Sequence, residues 1–215
     1  MKKTPNKVCV KTLKLEMRHL IRNTLKNIQV STMEERSNIV FNKVTQQDFY
    51  RKATGISIFL SMPSPKEIQT WNFVKQCFKD GKNVFVPKVT GSTNDDMIMI
   101  PVKQVEDIES WPLSKWKIKE PPIEYYTNLI NEESLVNIDL IIVPGLAFSK
   151  EKYRLGQGKG YYDTFFKKIY QARSQKELKP PVLIGVGLDE QIVDNVPVED
   201  HDYVLDHIIT PELIV

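Results

Sequence analysis

The feature that most narrows the fold is a rhythm of short apolar runs set between helix-length amphipathic segments. "ISIFLSM" (Ile56 to Met62), "NVFVP", "MIMIPV", "NIDLIIVP" and "PVLIGVGL" are β-branched or aromatic runs of strand length, stopped by proline or glycine. Among them, "TWNFVKQCFKDGK" reads as a helix closed by Gly81, and another helix is predicted from about Tyr161 to Arg173. Two more helices come first. Leu13, Met17, Leu20, Thr24 and Ile28 fall three or four apart and predict the apolar stripe of the first, with Lys14, Arg18 and Arg22 as a basic stripe on its other side. "STMEER" offers Ser31 or Thr32 as the cap of the second, which runs to about Phe49. Buried strands alternating with helices predict an α/β domain around a largely parallel, two-sided sheet.

Size and charge bound the partners. A chain of 215 residues predicts one domain spanning 1–215, with residues 1–12 a flexible N-terminus and Pro121 to Asn137 the least structured stretch. A net charge of +3 with no dense Lys/Arg tract argues against nucleic acid and favours a small anionic ligand. No apolar run approaches the roughly 18 residues of a membrane helix, so no membrane partner is expected. Cys9 and Cys77 lie far apart, with neither a CxxC pair nor a metal-ligand spacing, which favours a reducing compartment. A cytoplasmic monomer is expected, with a mitochondrial fraction allowed by the basic, acid-free stretch before Glu16.

The densest chemistry lies in "VPGLAFSKEKYRLGQGKGYYD", Val143 to Asp163. Gly156, Gly158 and Gly160 alternate just before the predicted helix opening at Tyr161. Glycines let backbone N–H groups approach a ligand, and amides leading into a helix N-terminus bind phosphate. Arg154 and Lys159 add a bidentate fork and a point charge. The loop also follows a strand, and open α/β sheets bind ligands at the carboxyl ends of their strands. A P-loop is excluded, because Gly160 rather than Ser or Thr follows Lys159 and Tyr153 stands where its first glycine belongs. A dinucleotide fingerprint is excluded too, because "GQGKG" is GxGxG and begins twelve residues past Pro144. The plainer alternative is a glycine-rich connection with solvated charges.

"PGLAFSKEKYRLGQGKGYYD" closely resembles the signature of the 5-formyltetrahydrofolate cyclo-ligases. "KLEMR", "FLSMPSPKEIQT", "GKNVFVPK", "MIMIPV", "SKWKIKEPP" and "EQIVDNVPVEDHDYVLDHIIT" resemble further blocks of that family in order, so the resemblance runs from about Leu13 to Thr210. It implies a Rossmann-like three-layer α/β sandwich that uses ATP and Mg²⁺ to turn 5-formyltetrahydrofolate, with or without a polyglutamate tail, into 5,10-methenyltetrahydrofolate. It further implies ATP contacts from Lys14, Arg18, Arg154, Gly156, Gly158, Lys159, Gly160 and Tyr161. On the folate side it implies Met62, Glu67, Trp116, Tyr161 and Tyr162, with Glu67, Arg154 and Lys159 serving catalysis. Mg²⁺ needs only one or two carboxylates, for which Asp163 and Asp202 are the candidates, with Asp206 behind them. His201 reads as local structure. Two positions depart from some relatives: Gln157 stands where an Arg occurs and Val89 where an aromatic occurs, which predicts a weaker phosphate contact and less folate stacking.

Plainer readings stand beside several of these residues. Glu67 also suits the N-terminus of the following helix, either tyrosine also suits a plain helix anchor in the core, and an isolated tryptophan is more often core. A folate-binding protein without turnover, or another nucleotide-dependent enzyme on the same sheet, are the competing functions. The presence of Lys14, Arg18, Arg154 and Lys159 together argues against the first, and the folate-side blocks argue against the second.

Overall fold

The computed structural model describes residues 9–62, 67–127 and 135–215. Part of the "PSPKE" loop, part of the Pro121 to Asn137 stretch and the first eight residues lie outside these. In chain order the elements begin with helices α1 (Val10–Leu25), α2 (Val30–Thr45) and α3 (Asp48–Lys52), then strand β1 (Gly55–Ile58). Helix α4 (Trp71–Lys79) leads to β2 (Asn83–Val89) and β3 (Met97–Val102), followed by the short helices α5 (Val105–Ser110) and α6 (Ile123–Tyr126). Strands β4 (Leu140–Val143), β5 (Ala147–Ser149) and β6 (Arg154–Leu155) precede helix α7 (Tyr161–Gln175). Strands β7 (Val182–Val186), β8 (Ile192–Val193) and β9 (His207–Ile209) complete the chain.

Six strands form one sheet in the order β3-β2-β1-β4-β7-β9, parallel throughout except for β3, which runs antiparallel to β2. The pleat divides its side chains between two apolar layers. Ile56, Ile58, Val84, Val86, Leu140, Ile142 and Ile184 face Ile21, Leu25, Val40, Phe73 and Val74 of α1, α2 and α4. Ile141, Val143, Leu183 and Phe85 face Phe165, Phe166 and Ile169 of α7. Helices on both faces of a mostly parallel sheet make the expected three-layer α/β sandwich, which is why its central strands are apolar on both sides. A small second sheet, β6-β5-β8, carries the chain from the end of β4 toward the glycine loop.

The structure corrects two local expectations. The second helix starts at Val30, with Gln29 as its N-cap and no side-chain cap, so Ser31 and Thr32 lie inside it, and it breaks after Thr45. The first helix starts at Val10 and is rotated relative to the expected apolar stripe: Lys14, Ile21 and Leu25 are its buried residues, while Leu20 stays 63% exposed and Leu13 and Leu15 are exposed as well. The basic stripe faces inward.

Strand order reverses between β1 and β4. The chain winds outward from β1 to β2 and β3, then returns to place β4 on the other side of β1 and winds away through β7. Such a reversal leaves a crevice outside the carboxyl ends of the two strands, where open α/β sheets hold ligands. The segment carrying Met62 and Glu67 follows β1, and Pro144, Gly145 and the path to the glycine loop follow β4.

Candidate active site

Arg154 is the hub of this crevice. Its Nη2 donates to Asp163 Oδ2 at 2.9 Å, and its guanidinium lies over the rings of Tyr162 and Phe166 at 5.4 and 5.7 Å. Nη1 lies 3.5 Å from the carbonyl oxygen of Pro144 at the end of β4. The side chain is only 7% exposed, and its buried Nε has no hydrogen-bond partner among the described residues. Such a donor is costly to leave unmatched, so it marks a place where an anionic oxygen would be stabilised. A Cβ on Gly156 would sit 2.8 Å from Arg154 Nη1, so a side chain there would displace the guanidinium.

The glycine loop is braced from the other side by α1. Arg18 Nε donates to the carbonyl oxygen of Gly156 at 2.9 Å, and Arg22 Nη2 donates to Gln157 Oε1 at 2.7 Å. Burial first, and then the neighbouring Arg22, hold the Arg18 pKa below its usual value against the opposing pull of Asp202. Arg22 was not singled out in the sequence as a site residue, although its place on the basic stripe pointed to it. Gln157 is thus the partner of a neighbouring arginine. Gly158 (φ 97°) and Gly160 (φ 72°) adopt left-handed backbone that disfavours a side chain, and at Gly158 a Cβ would also sit 3.1 Å from Arg18 Cζ. Gly160 is the N-cap of α7 and supplies no side-chain cap, so the first amides of a 15-residue helix point toward the loop. Lys159 is exposed and, among the described residues, has neither a hydrogen-bond nor an ion-pair partner.

Lys14 is placed differently. It is 8% exposed and donates to Asp202 Oδ2 at 2.6 Å and to Glu199 Oε2 at 2.9 Å. Burial alone would lower its pKa, but these two carboxylates outweigh that and hold it above the usual value. Asp202 also accepts the amide of Glu199 at 2.8 Å. Asp206 accepts the amide of Leu183 at 2.7 Å, which fixes the β7 end of the sheet, and His201 is exposed, 4.0 Å from Glu199. Among the described residues no three His, Cys, Asp or Glu side chains gather as a metal cage. Asp163 and Asp202 each commit one carboxylate oxygen, Oδ2, to a cation and keep the other. That donor set suits a Mg²⁺ that arrives on phosphate and retains its waters.

Glu67 stands opposite the basic apparatus. Its Oε1 accepts the amide of Met62 at 2.6 Å, and burial pushes its pKa up to about 7 despite that bond. Tyr162 is half-buried, and burial raises its pKa while Arg154 lowers it and Glu67 raises it further, which puts all three in one electrostatic neighbourhood. Tyr161 packs partly against the α7 layer beside it. Trp116 is 60% exposed, so it is not a core residue. It sits in a short turn closed by the Leu113–Lys119 bridge and tied by the Lys88–Glu120 ion pair to the carboxyl end of β2, where Val89 is exposed. A recess of about 420 Å³ lined by Phe78, Lys82, Asn83, Pro101, Val102 and Lys103 opens at the amino end of β2, the opposite end of the strands, and holds none of these residues.

An open α/β sheet that gathers a glycine loop, an uncapped helix N-terminus and a buried guanidinium near its switch point has the features by which α/β proteins of this class hold anions. The particular kind follows from comparison with known proteins. A model of the 5-formyltetrahydrofolate cyclo-ligase family matches residues 10–211. A mouse 5-formyltetrahydrofolate cyclo-ligase is 33% identical over 94% of this chain and 95% of its own, and one from Saccharomyces cerevisiae is 27% identical over 90% and 92%. The solution structure of a 5,10-methenyltetrahydrofolate synthetase from Aquifex aeolicus superposes with a TM-score of 0.70 at 25% identity, covering 94% of this chain and 91% of that one. The chain belongs to the 5-formyltetrahydrofolate cyclo-ligase family.

Proposed function

We propose that this protein converts 5-formyltetrahydrofolate to 5,10-methenyltetrahydrofolate at the expense of ATP, releasing ADP and phosphate. One observation carries the reading: the carboxyl group of Glu67, tuned to about 7, lies in the same electrostatic neighbourhood as Arg154, whose loop is built for anions. Proton-handling and phosphate-handling surfaces therefore share one crevice.

The chemistry needs both. A formamide oxygen is a poor leaving group, so N10 cannot close the ring until that oxygen is activated. Transfer of the γ-phosphoryl group to the formyl oxygen, with ADP leaving, gives an imidate phosphate. N10 attacks the activated carbon, the carbon–oxygen bond breaks, and phosphate departs with the former formyl oxygen. N10 must also lose its proton, and a carboxylate with a pKa near the working pH is matched to accept it. Arg154, the first amides of α7 and the exposed Lys159 hold the phosphoryl oxygens and offset their developing charge. Arg18 and Arg22 hold the loop in shape. Mg²⁺ on the nucleotide, held by Asp163 and Asp202, would supply further charge neutralisation. Met62, Trp116, Tyr161 and Tyr162 form the folate side. The binding of folate without turnover and phosphoryl transfer to another acceptor are the readings that compete.

The test combines purified protein, 5-formyltetrahydrofolate and MgATP, following the near-ultraviolet absorbance of the methenyl product alongside ADP release. Both signals rising together, and only with both substrates and Mg²⁺ present, is the expected result. Tight folate binding without product would replace the reading with a folate-binding protein, and ADP without methenyl product would point to a different acceptor.

A further inference from the structure

The turn between β2 and β3 lies on the same side of the sheet as the glycine loop and is more elaborate than a hairpin requires. Residues 90–96 read Thr-Gly-Ser-Thr-Asn-Asp-Asp. Asp96 builds the turn: its Oδ2 accepts the amide and hydroxyl of Thr93 at 2.6 and 2.7 Å, and its backbone oxygen accepts the amide of Thr90 at 2.9 Å. Lys168 of α7 then clamps it from outside, donating to the backbone oxygen of Asp95 at 2.8 Å and to its Oδ1 at 3.0 Å. Both carboxylates of the turn are thereby engaged. What the clamp presents to the loop is Asn94. Its Cβ and Nδ2 lie 3.6 Å from where a Cβ of Gly160 would stand, at the uncapped start of α7. The Asn94 carboxamide is exposed and, among the described residues, makes no hydrogen bond.

We infer that Asn94 is a further nucleotide-binding residue, its Nδ2 donating to a phosphoryl oxygen held by the glycine loop and the N-terminus of α7, with Lys168 as the positioning residue that holds the turn there. The inference rests on the proposed nucleotide site and adds a wall to it from the antiparallel edge of the sheet. An asparagine suits this place because it offers donors without a charge. An aspartate of the same shape would set a carboxylate against phosphate.

The experiment titrates the full-length chain with the Mg²⁺ complex of a non-hydrolysable ATP analogue, and separately with 5-formyltetrahydrofolate, by calorimetry. Wild type is compared with Asn94→Ala, Asn94→Asp and Lys168→Met, and each melting temperature is recorded. Losing one hydrogen bond to a charged oxygen should weaken the analogue about 10-fold in Asn94→Ala. Asn94→Asp should be weaker than Asn94→Ala, Lys168→Met should weaken the analogue with folate affinity unchanged, and all three should melt as wild type does. Unchanged or tighter analogue binding by Asn94→Asp would overturn the inference while leaving the nucleotide site intact. A parallel loss of folate affinity and melting temperature would overturn it as a merely structural effect. Failure of the wild type itself to bind the analogue would overturn both the inference and the nucleotide reading beneath it.

Discussion

Glu67 is half-buried and accepts the amide of Met62, and the balance of burial against that bond sets its chemistry. Burial outweighs the bond from Met62, so the carboxyl group titrates near 7 in the folded chain against 4.5 when unfolded. The native state therefore binds more protons than the unfolded chain between those values, and stability falls as pH rises through that window. Glu67→Gln should flatten this dependence and raise stability at pH 8, by at most about 3 kcal/mol. The same change should cost about 100-fold in turnover and remove the acid limb near 7 from the pH–rate profile. An unchanged limb would assign that titration to another group. Lys159→Ala removes a cation that has no partner among the described residues, so we expect turnover to fall about 100-fold with folate affinity and melting temperature unchanged. Loss of folate binding with nucleotide binding intact would place Lys159 on the other substrate. The residue types at these positions were legible, but their states were not. Lys14 bonds to carboxylates 185 and 188 positions away, and no local pattern reports such a pairing.

At the scale of elements, α1 shows what periodicity leaves open. Leu13, Met17, Leu20, Thr24 and Ile28 share one stripe, but Met17, Ile21, Leu25 and Ile28 share another at the same spacing. Packing chooses the second, because only that rotation turns Lys14 and Arg18 toward the site while burying Ile21 and Leu25. Exposed Leu20→Gln should then leave the stability within about 0.5 kcal/mol of wild type, whereas Ile21→Ala should cost about 2–4 kcal/mol in a urea titration. The reverse ranking would restore the first stripe. Helix α7 was legible almost to the residue, because its start is written in the backbone: Gly160 takes a conformation that breaks the incoming loop, and an aromatic stripe follows at once. Strands β5, β6 and β8 were illegible for the opposite reason. They are two or three residues long, too short for alternation to register, and they pair only because the end of β4 and the 3-10 turn at Asp189–Gln191 bring them together.

For the whole molecule, the alternation of strands and helices foretold the layers and the largely parallel sheet, whereas strand order came only from the structure. The order matters because the reversal between β1 and β4 makes neighbours of the strand that precedes the Glu67 segment and the strand that leads toward Arg154 and the glycine loop. On the proposed reading, stability and ligand binding are coupled through Arg154, which bonds to Asp163 and covers two aromatic rings beside the glycine loop. Saturation with MgATP at about 100 times its Kd should stabilise the wild type by about 2.7 kcal/mol, a rise of roughly 5–10 °C in melting temperature. Arg154→Met should melt well below the wild type before any ligand is added, because it strands Asp163 in a poorly solvated site, and it should show little further rise with MgATP. Lys159→Ala should begin at the wild-type melting temperature and lose only part of the rise. If Arg154→Met kept the full ligand-induced shift, the guanidinium would be a structural brace alone, and the phosphate site would have to be carried by the loop amides and Lys159 without it.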